Sequence, residues 1–409
     1  TPLNKNPNAN CSSHLDYTAI DLDNVASDFV PRTNYVPACS LTEYARRVPK
    51  WRGRRVDSYY RHVNRRMFGT TGERSLICCV LPPGPGHINT VVSAAFEDLD
   101  LLMYWSALSC SLPFDFFLRT TGRSDLYPNN LGDFPIPEAG PIALMLAERA
   151  ARLNALTTSY AELAVALTPG PDRTGEMTSS DRRIRRRRAM AREWSRSFAF
   201  RTDFERRQAL VEIDVLASMA LGIDVDDLMT VQNVQFAVFC QFDRERLYDQ
   251  HGRIVSTSKT AAGNPAASLV ELAATLKEQA GFDVHAEYHP DGSNTQELRE
   301  QRIRLGKKEA DVLGVPERCT IADLLVETEV RWSDEDHPEG RPVRLVGLRY
   351  TDPGLEPRIE RVYPTPWTRC DREADYRQAW AEFERRLGKK MPEGTALDSS
   401  VSAGARTTT

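Results

Sequence analysis

No stretch of this chain approaches the roughly 18 consecutive apolar residues that cross a bilayer, and its amino-terminal residues carry no signal-peptide apolar core. Both absences favour a soluble, cytoplasmic protein. Eight cysteines are scattered without any Cys-x-x-Cys spacing, which favours neither a disulfide framework nor a zinc site. The phosphate-cradling patterns Gly-x-Gly-x-x-Gly and Walker A are missing too, so no nucleotide loop is indicated. His285 and His289 have the helical spacing of metal ligands, but Pro290 follows directly and no third ligand is evident, so no metal is expected. His251 lies in a hairpin-like segment without a partner to orient it, which disfavours catalysis there.

Charge is present in both signs and is unevenly placed. The formal net charge is -4, yet between Leu41 and Arg74 ten basic residues face only Glu43, Asp57 and Glu73. Within that stretch Lys50, Arg52, Arg54, Arg55, Arg61, Arg65 and Arg66 suit contact with phosphates, where neutralisation releases counterions and gives affinity without sequence information. Tyr44, Trp51, Tyr59 and Tyr60 are interleaved with them and suit stacking. The plainer alternative is a solvated helix face paired with the acidic remainder of the chain. A second basic run, from Arg182 to Arg188, follows a loop rich in Pro, Gly and Ser. Its helical spacing onward to Trp194 and Phe198 makes an exposed helix as good a reading as a grip on phosphates.

The segment from Arg74 to Pro137 is the most informative. Residues 75–81 form a short apolar run closed by Pro82-Pro83-Gly84-Pro85-Gly86, which reads as a core strand followed by a rigid turn. Residues 87–96 supply a second β-rich run. Asp98 or Asp100 can cap the next helix, whose apolar stretch from Leu101 to Leu108 suits burial and which must stop before Pro113.

In layout this segment resembles the target-recognition region of large DNA adenine-N6 methyltransferases of the type IIG restriction-modification kind and their phage-defence relatives. The resemblance rests on Arg74, Pro82-Pro83-Gly84 with His87, Thr90-Val91, Ser109 or Ser111, the stretch Asp115-Phe116-Phe117-Leu118-Arg119, Gly122 with Ser124, and Phe134-Pro135-Ile136-Pro137. Phe134 stands where the family usually has Leu. Residues 17–23 and 29–37 look like its lead-in, and residues 368–372 with Tyr376 and Trp380 look like its tail, so most of the chain is covered.

The resemblance implies recognition of double-stranded DNA. The basic stretch would hold phosphates, while the loops bearing His87 and Asn89 and running from Arg119 to Ser124 would approach base edges. Arg119 or Arg123 with guanine and Asn89 with adenine are natural pairings. The parent enzymes use S-adenosylmethionine and an Asn/Asp-Pro-Pro-Tyr/Phe motif that holds the adenine amino group and stacks on the flipped base. Here the only Pro-Pro pair, Pro82-Pro83, is preceded by Leu81 and followed by Gly84, so that chemistry is missing. The expectation is a carboxy-terminal fragment or split subunit. It would bind no cofactor, would be non-catalytic alone, and would work with a methyltransferase catalytic domain or subunit rather than a membrane.

The expected fold class is α+β: a mixed α/β target-recognition domain over residues 1–137, a helical spacer over 138–232, a smaller α+β region over 233–390 and a disordered tail over 391–409. Residues 204–227 read as an amphipathic helix broken at Gly222, with Glu212 and Asp214 as solvent or salt-bridge groups; residues 234–240 read as β-prone and 247–256 as a hairpin. Further helices are expected over 265–279 and around 296–308, and a strand pair with a helix over 343–387. Two rival classes stand beside the DNA reading. A subunit docking a defence-system ATPase or nuclease through its basic segments requires an exposed apolar patch near Arg182. A hydrolase requires polar groups converging in a deep pocket. The DNA reading requires residues 46–66 to meet the loops near 87 and 123.

Overall fold

Four of the five residues in the strand Arg61–Arg65 are buried although three of those four are polar, because the strand is the middle of a sheet with cover on both faces. The computed structural model describes residues 5–7, 17–30, 37–167, 176–185, 193–256, 267–281, 299–332, 341–351 and 360–388. Strands β1 (Lys5–Pro7) and β2 (Tyr17–Ala19) pair first, followed by α1 (Leu41–Arg47) and a hairpin of β3 (Lys50–Trp51) with β4 (Arg54–Arg55). The central sheet has β5 (Arg61–Arg65) between β6 (Cys78–Leu81) and β7 (Val91–Ala95), antiparallel to both. Since β6 and β7 run the same way, residues 82–90 must carry the chain from the Arg61 end of the sheet back to its Arg65 end. The edge of β6 is closed by side chains: Val80 N donates to Asn154 Oδ1 at 3.0 Å and Tyr160 Oη donates to Val80 O at 2.8 Å. Such caps block the middle of this edge against pairing with another chain.

Helix α2 (Leu99–Cys110) begins at Asp98, whose carboxylate accepts from Asp100 N and Leu101 N, and gives way to α3 (Leu112–Thr120) with Pro113 in its first turn. Leu102 to Ser109 are all buried, since α2 packs on β5 and β6 on one side and on α4 (Pro141–Asn154) and α6 (Asp203–Leu221) on the other. An apolar run without a polar face is what a fully enclosed helix needs. After α5 (Ala161–Ala166) comes α6 (Asp203–Leu221), entered through a Thr202–Glu205 capping box and ended by Gly222 at φ +70°. Helices α7 (Val225–Gln235) and α8 (Ala237–Glu245) follow. The run 234–240 is thus helical. It spans the end of α7 and the start of α8, joined at the non-helical Phe236, and its β-prone side chains are overruled because Phe236, Phe239 and Cys240 are all buried against the helical core.

A second core is built from the β8 (Leu247–Tyr248) and β9 (Ile254–Ser256) hairpin, α9 (Ala267–Ala280), the pair β10 (Arg302–Arg304) and β11 (Arg318–Thr320), α10 (Lys307–Leu313), α11 (Ile321–Leu324), and the sheet β12 (Leu325–Trp332), β13 (Arg341–Thr351), β14 (Glu360–Pro364). The final helix, α12 (Arg372–Leu387), leaves this core and packs on α6. Of the charged helix expected around 296–308, residues 296–298 lie outside the described residues, and within 299–308 the strand Arg302–Arg304 precedes the helix Lys307–Leu313. One hydrophobic core runs from Tyr60 through the helices after residue 138 to Phe383. The tail 391–409, His285, His289 and Arg186 to Arg188 lie outside the described residues.

Charges hold α12 in place. Asp214 on α6, wholly buried, accepts from Leu112 N at 2.7 Å, Tyr376 Oη at 2.7 Å and Arg74 Nη2 at 3.1 Å. Asp243 on α8 takes two guanidinium forks, with Arg207 at 3.1 Å and Arg372 at 2.9 and 3.0 Å. Burial alone would push the Asp243 carboxyl up, but Arg372 and Arg207 outweigh it and hold it well below the usual carboxylate range. Removing one partner from such a set leaves an uncompensated buried charge and costs about 3 to 5 kcal/mol. Asp214→Ala should therefore lower the urea midpoint sharply, whereas Arg377→Ala, which removes an exposed pair with Asp226, should leave it in place. Equal midpoints for the two variants would contradict this ranking.

Candidate nucleic-acid interface

The residues with nucleic-acid chemistry divide between the two ends of β5. At the Arg61 end stands the β3–β4 hairpin, in register Lys50 with Arg55 and Trp51 with Arg54. Its two turn residues, Arg52 and Gly53, have φ of +49° and +78°. Positive φ at both positions suits a two-residue hairpin turn, and glycine supplies it without strain at the second. The tip is braced by an Arg52–Glu97 pair at 2.7 Å, and Arg54 lies over the Tyr59 ring at 4.6 Å. Arg55 donates to Asp57 at 2.9 Å.

At the other end β5 continues into a strip that both loops reach. Arg66 N donates to Thr90 O at 2.9 Å, and Leu126 N donates to Arg66 O at 2.8 Å. Phe68 N also donates to Ser124 O at 3.0 Å. Loops 87–90 and 122–127 therefore meet the chain at Arg66, whereas the rest of the basic stretch, from Lys50 to Arg55, stands at the opposite end of β5. Arg65 and Asn89 are exposed. Arg66 pairs with Asp125 at 3.3 Å and lies 5.8 Å from the Tyr127 ring centre; Arg123 pairs with Asp133 at 2.9 Å. His87 is exposed with both ring nitrogens engaged, Nε2 with Ser93 Oγ at 2.8 Å and Nδ1 donating to Ile88 O at 3.1 Å.

Two residues expected at the interface are spent inside the fold. Arg61 is buried and donates to Pro85 O, tying down the 82–90 crossover. Arg119 belongs to the last turn of α3 rather than to a loop; it pairs with Asp115 at 3.2 Å, donates to Gln235 O at 2.8 Å and stacks 3.9 Å from the Phe236 ring centre. Both are structural because their guanidinium groups already meet acceptors that burial would otherwise orphan. Among the described residues no carboxylate pairs with Lys50, Arg54 or Arg65, which makes these the cations most open to phosphate. In the described part of the second basic run, Arg183 pairs with Asp181 at 2.7 Å and stacks on Phe204, Arg185 pairs with Asp23 at 2.7 Å, and residues 181–185 form a turn.

Sequence reasoning missed a buried polar trio beneath the sheet. His62 Nδ1 lies 2.9 Å from Ser106 Oγ and Nε2 lies 2.8 Å from Asn64 Oδ1, all three residues almost wholly buried. Alternation of polar residues along β5 was the available signal. With Ser106 Oγ closed off from solvent, the trio fixes strand to helix and does no chemistry on a solute. Among the described residues, no cluster of His, Cys, Asp and Glu could hold a metal ion. No single described helix is long and apolar enough to cross a membrane; α2 and α3 qualify only as a pair bent by 65°, and both are largely core.

No family model, curated protein or solved structure matches this chain.

Burial lowers the His62 imidazole from 6.5 to about 4. The folded protein therefore keeps it neutral, while the unfolded chain takes up a proton below about 6.5. Stability from this group is full above that pH and is lost as pH falls toward 4, by up to about 3 kcal/mol. Denaturant titrations of wild type and His62→Gln at pH 7 and pH 5 should show the variant losing less stability between the two; an equal loss would contradict the assignment.

Proposed function

We propose that this chain is the DNA-recognition portion of a site-specific, adenine-specific DNA methyltransferase of a restriction-modification or phage-defence system, with S-adenosylmethionine and the methyl-transfer motifs supplied by a partner domain or subunit. The observation that carries this reading is the convergence of loops 87–90 and 122–127 on Arg65 and Arg66. A surface that reads DNA needs cations for phosphates and amide or guanidinium groups for base edges within one footprint. Here Arg65, with Lys50 and Arg54 at the other end of β5, supplies the first, and Asn89 and Arg123 supply the second. The strand between them spans about 13 Å at 3.3 Å per residue, roughly four base-pair rises of 3.4 Å.

A protein partner is the second reading. It is favoured by Met67, Ile77, Ile88 and Tyr127, large apolar side chains about half exposed at the Arg65 end of the sheet, 54% in the case of Met67. Arg66 and Arg123 there already have carboxylate partners, which suits a contact less basic than DNA requires. This patch lies beside Arg65 rather than beside Arg182.

Fluorescence anisotropy on random duplex DNA across a salt series separates the two. On the DNA reading the affinity of the wild-type chain falls as salt rises with a slope of about -3, and Arg65→Ala flattens it by about one while weakening all duplexes alike. Arg123→Ala should instead alter the motif that the chain selects from a random duplex pool. Equal losses on selected and random duplexes would sink that division of roles, and no binding by wild type would leave the protein partner.

A further inference from the structure

Cys78, the first residue of β6, and Cys110, the last residue of α2, bring their Sγ atoms to 3.3 Å, and both side chains are partly exposed. They come from different elements, separated in sequence by the crossover, β7 and α2. The contact is asymmetric. Either thiol can donate to the other; with Cys78 as the donor, the Cys110 thiol is pulled down, helped by the positive fields of Arg74 and Arg206, although burial opposes it. The same bond, together with burial, pushes Cys78 up. The carboxy-terminal end of α2 works against a thiolate at Cys110. A donated hydrogen bond and two guanidinium groups outweigh it. Cys79 points to the other face of the strand, away from the pair.

From this geometry we infer that Cys78 and Cys110 form a reversible dithiol modification site that a hydroperoxide closes into a disulfide. The Cys110 thiolate attacks the distal peroxide oxygen; the O–O bond breaks, Cys110 becomes a sulfenic acid and the alkoxide or hydroxide leaves and takes up a proton. The Cys78 sulfur then attacks the sulfenic sulfur, the S–S bond forms, and the sulfenic oxygen departs as water with the Cys78 proton. Two thiols lose two hydrogens and one peroxide is reduced. Closing the gap to the roughly 2.05 Å of a disulfide takes a movement of about 1 Å, within reach of a strand end and a helix end. The site stands independently of the nucleic-acid reading.

The test is hydrogen peroxide treatment of the full-length protein, followed by intact mass and peptide mapping without reduction. The expected result is loss of two hydrogen atoms, a peptide link between residues 78 and 110, and full reversal by dithiothreitol. Cys110→Ser should abolish the link, while Cys78→Ser should leave Cys110 to gain oxygen atoms instead. A link involving Cys79, or oxygen gained at Cys78 with Cys110 unchanged, would overturn the assignment, as would an unchanged wild-type mass. Circular dichroism of the two serine variants confirms that any loss of reactivity occurs in a folded protein.

Discussion

The Asp214 carboxylate is the constraint on which most of the first core depends. It lies in the middle of α6, closed off from water, and joins three parts of the chain distant in sequence: Arg74 before β6, the first amide of α3, and Tyr376 on α12. Asp243 repeats the device through Arg207 and Arg372. Around them Arg74, Arg119 and Arg372 lie over the rings of Phe236 and Phe239, so the guanidinium groups are partly desolvated by aromatic faces and not by aliphatic packing alone. Charges buried in this way are costly unless every one is matched, and the matching fixes where α12 returns after the second core.

The same logic redraws the basic surface. Ten cations between residues 41 and 74 suggest a strongly positive face, yet Arg74 and Arg61 are consumed inside, and Arg46, Arg47, Arg52, Arg55 and Arg66 each have a carboxylate close by. What remains open to phosphate is narrower: Lys50 on β3, Arg54 on β4 and Arg65 at the far end of β5. On the proposed DNA reading, three such contacts would give modest affinity and a salt slope of only about -3. Selectivity would then rest on loops 87–90 and 122–127, which are positioned by main-chain hydrogen bonds to the strip after β5 and so do not depend on the cations for their shape.

Local features were legible in the sequence wherever chemistry acts over a few residues. Asp98 capping α2, the stop before Pro113, the turn at Gly252 between β8 and β9, the end of α6 at Gly222 and the α+β class all follow from short-range rules. Long-range pairing was not. Glu212 and Asp214 stand two apart on one helix and read as surface or salt-bridge groups, but both are wholly buried, Glu212 on Arg149 and Asp214 on Arg74, because their partners lie 63 and 140 residues away. Arg119 illustrates the same limit. Its place after Asp115-Phe-Phe-Leu marks it as a candidate reader, and only the fold supplies the Phe236 ring and Gln235 carbonyl that occupy it. The segment 234–240 failed for a different reason: its composition favours strand while its spacing is helical, and burial decides for spacing.

The most direct test of the central claim, that one end of the central sheet forms the recognition surface, is hydrogen–deuterium exchange on the intact chain with and without saturating duplex DNA. The account predicts slowed exchange in residues 65–68, 87–91 and 122–127 together, with the amides around Asp214 unchanged because they are already protected. Slowing confined to residues 181–185, or absent from all three segments while DNA is bound, would contradict it.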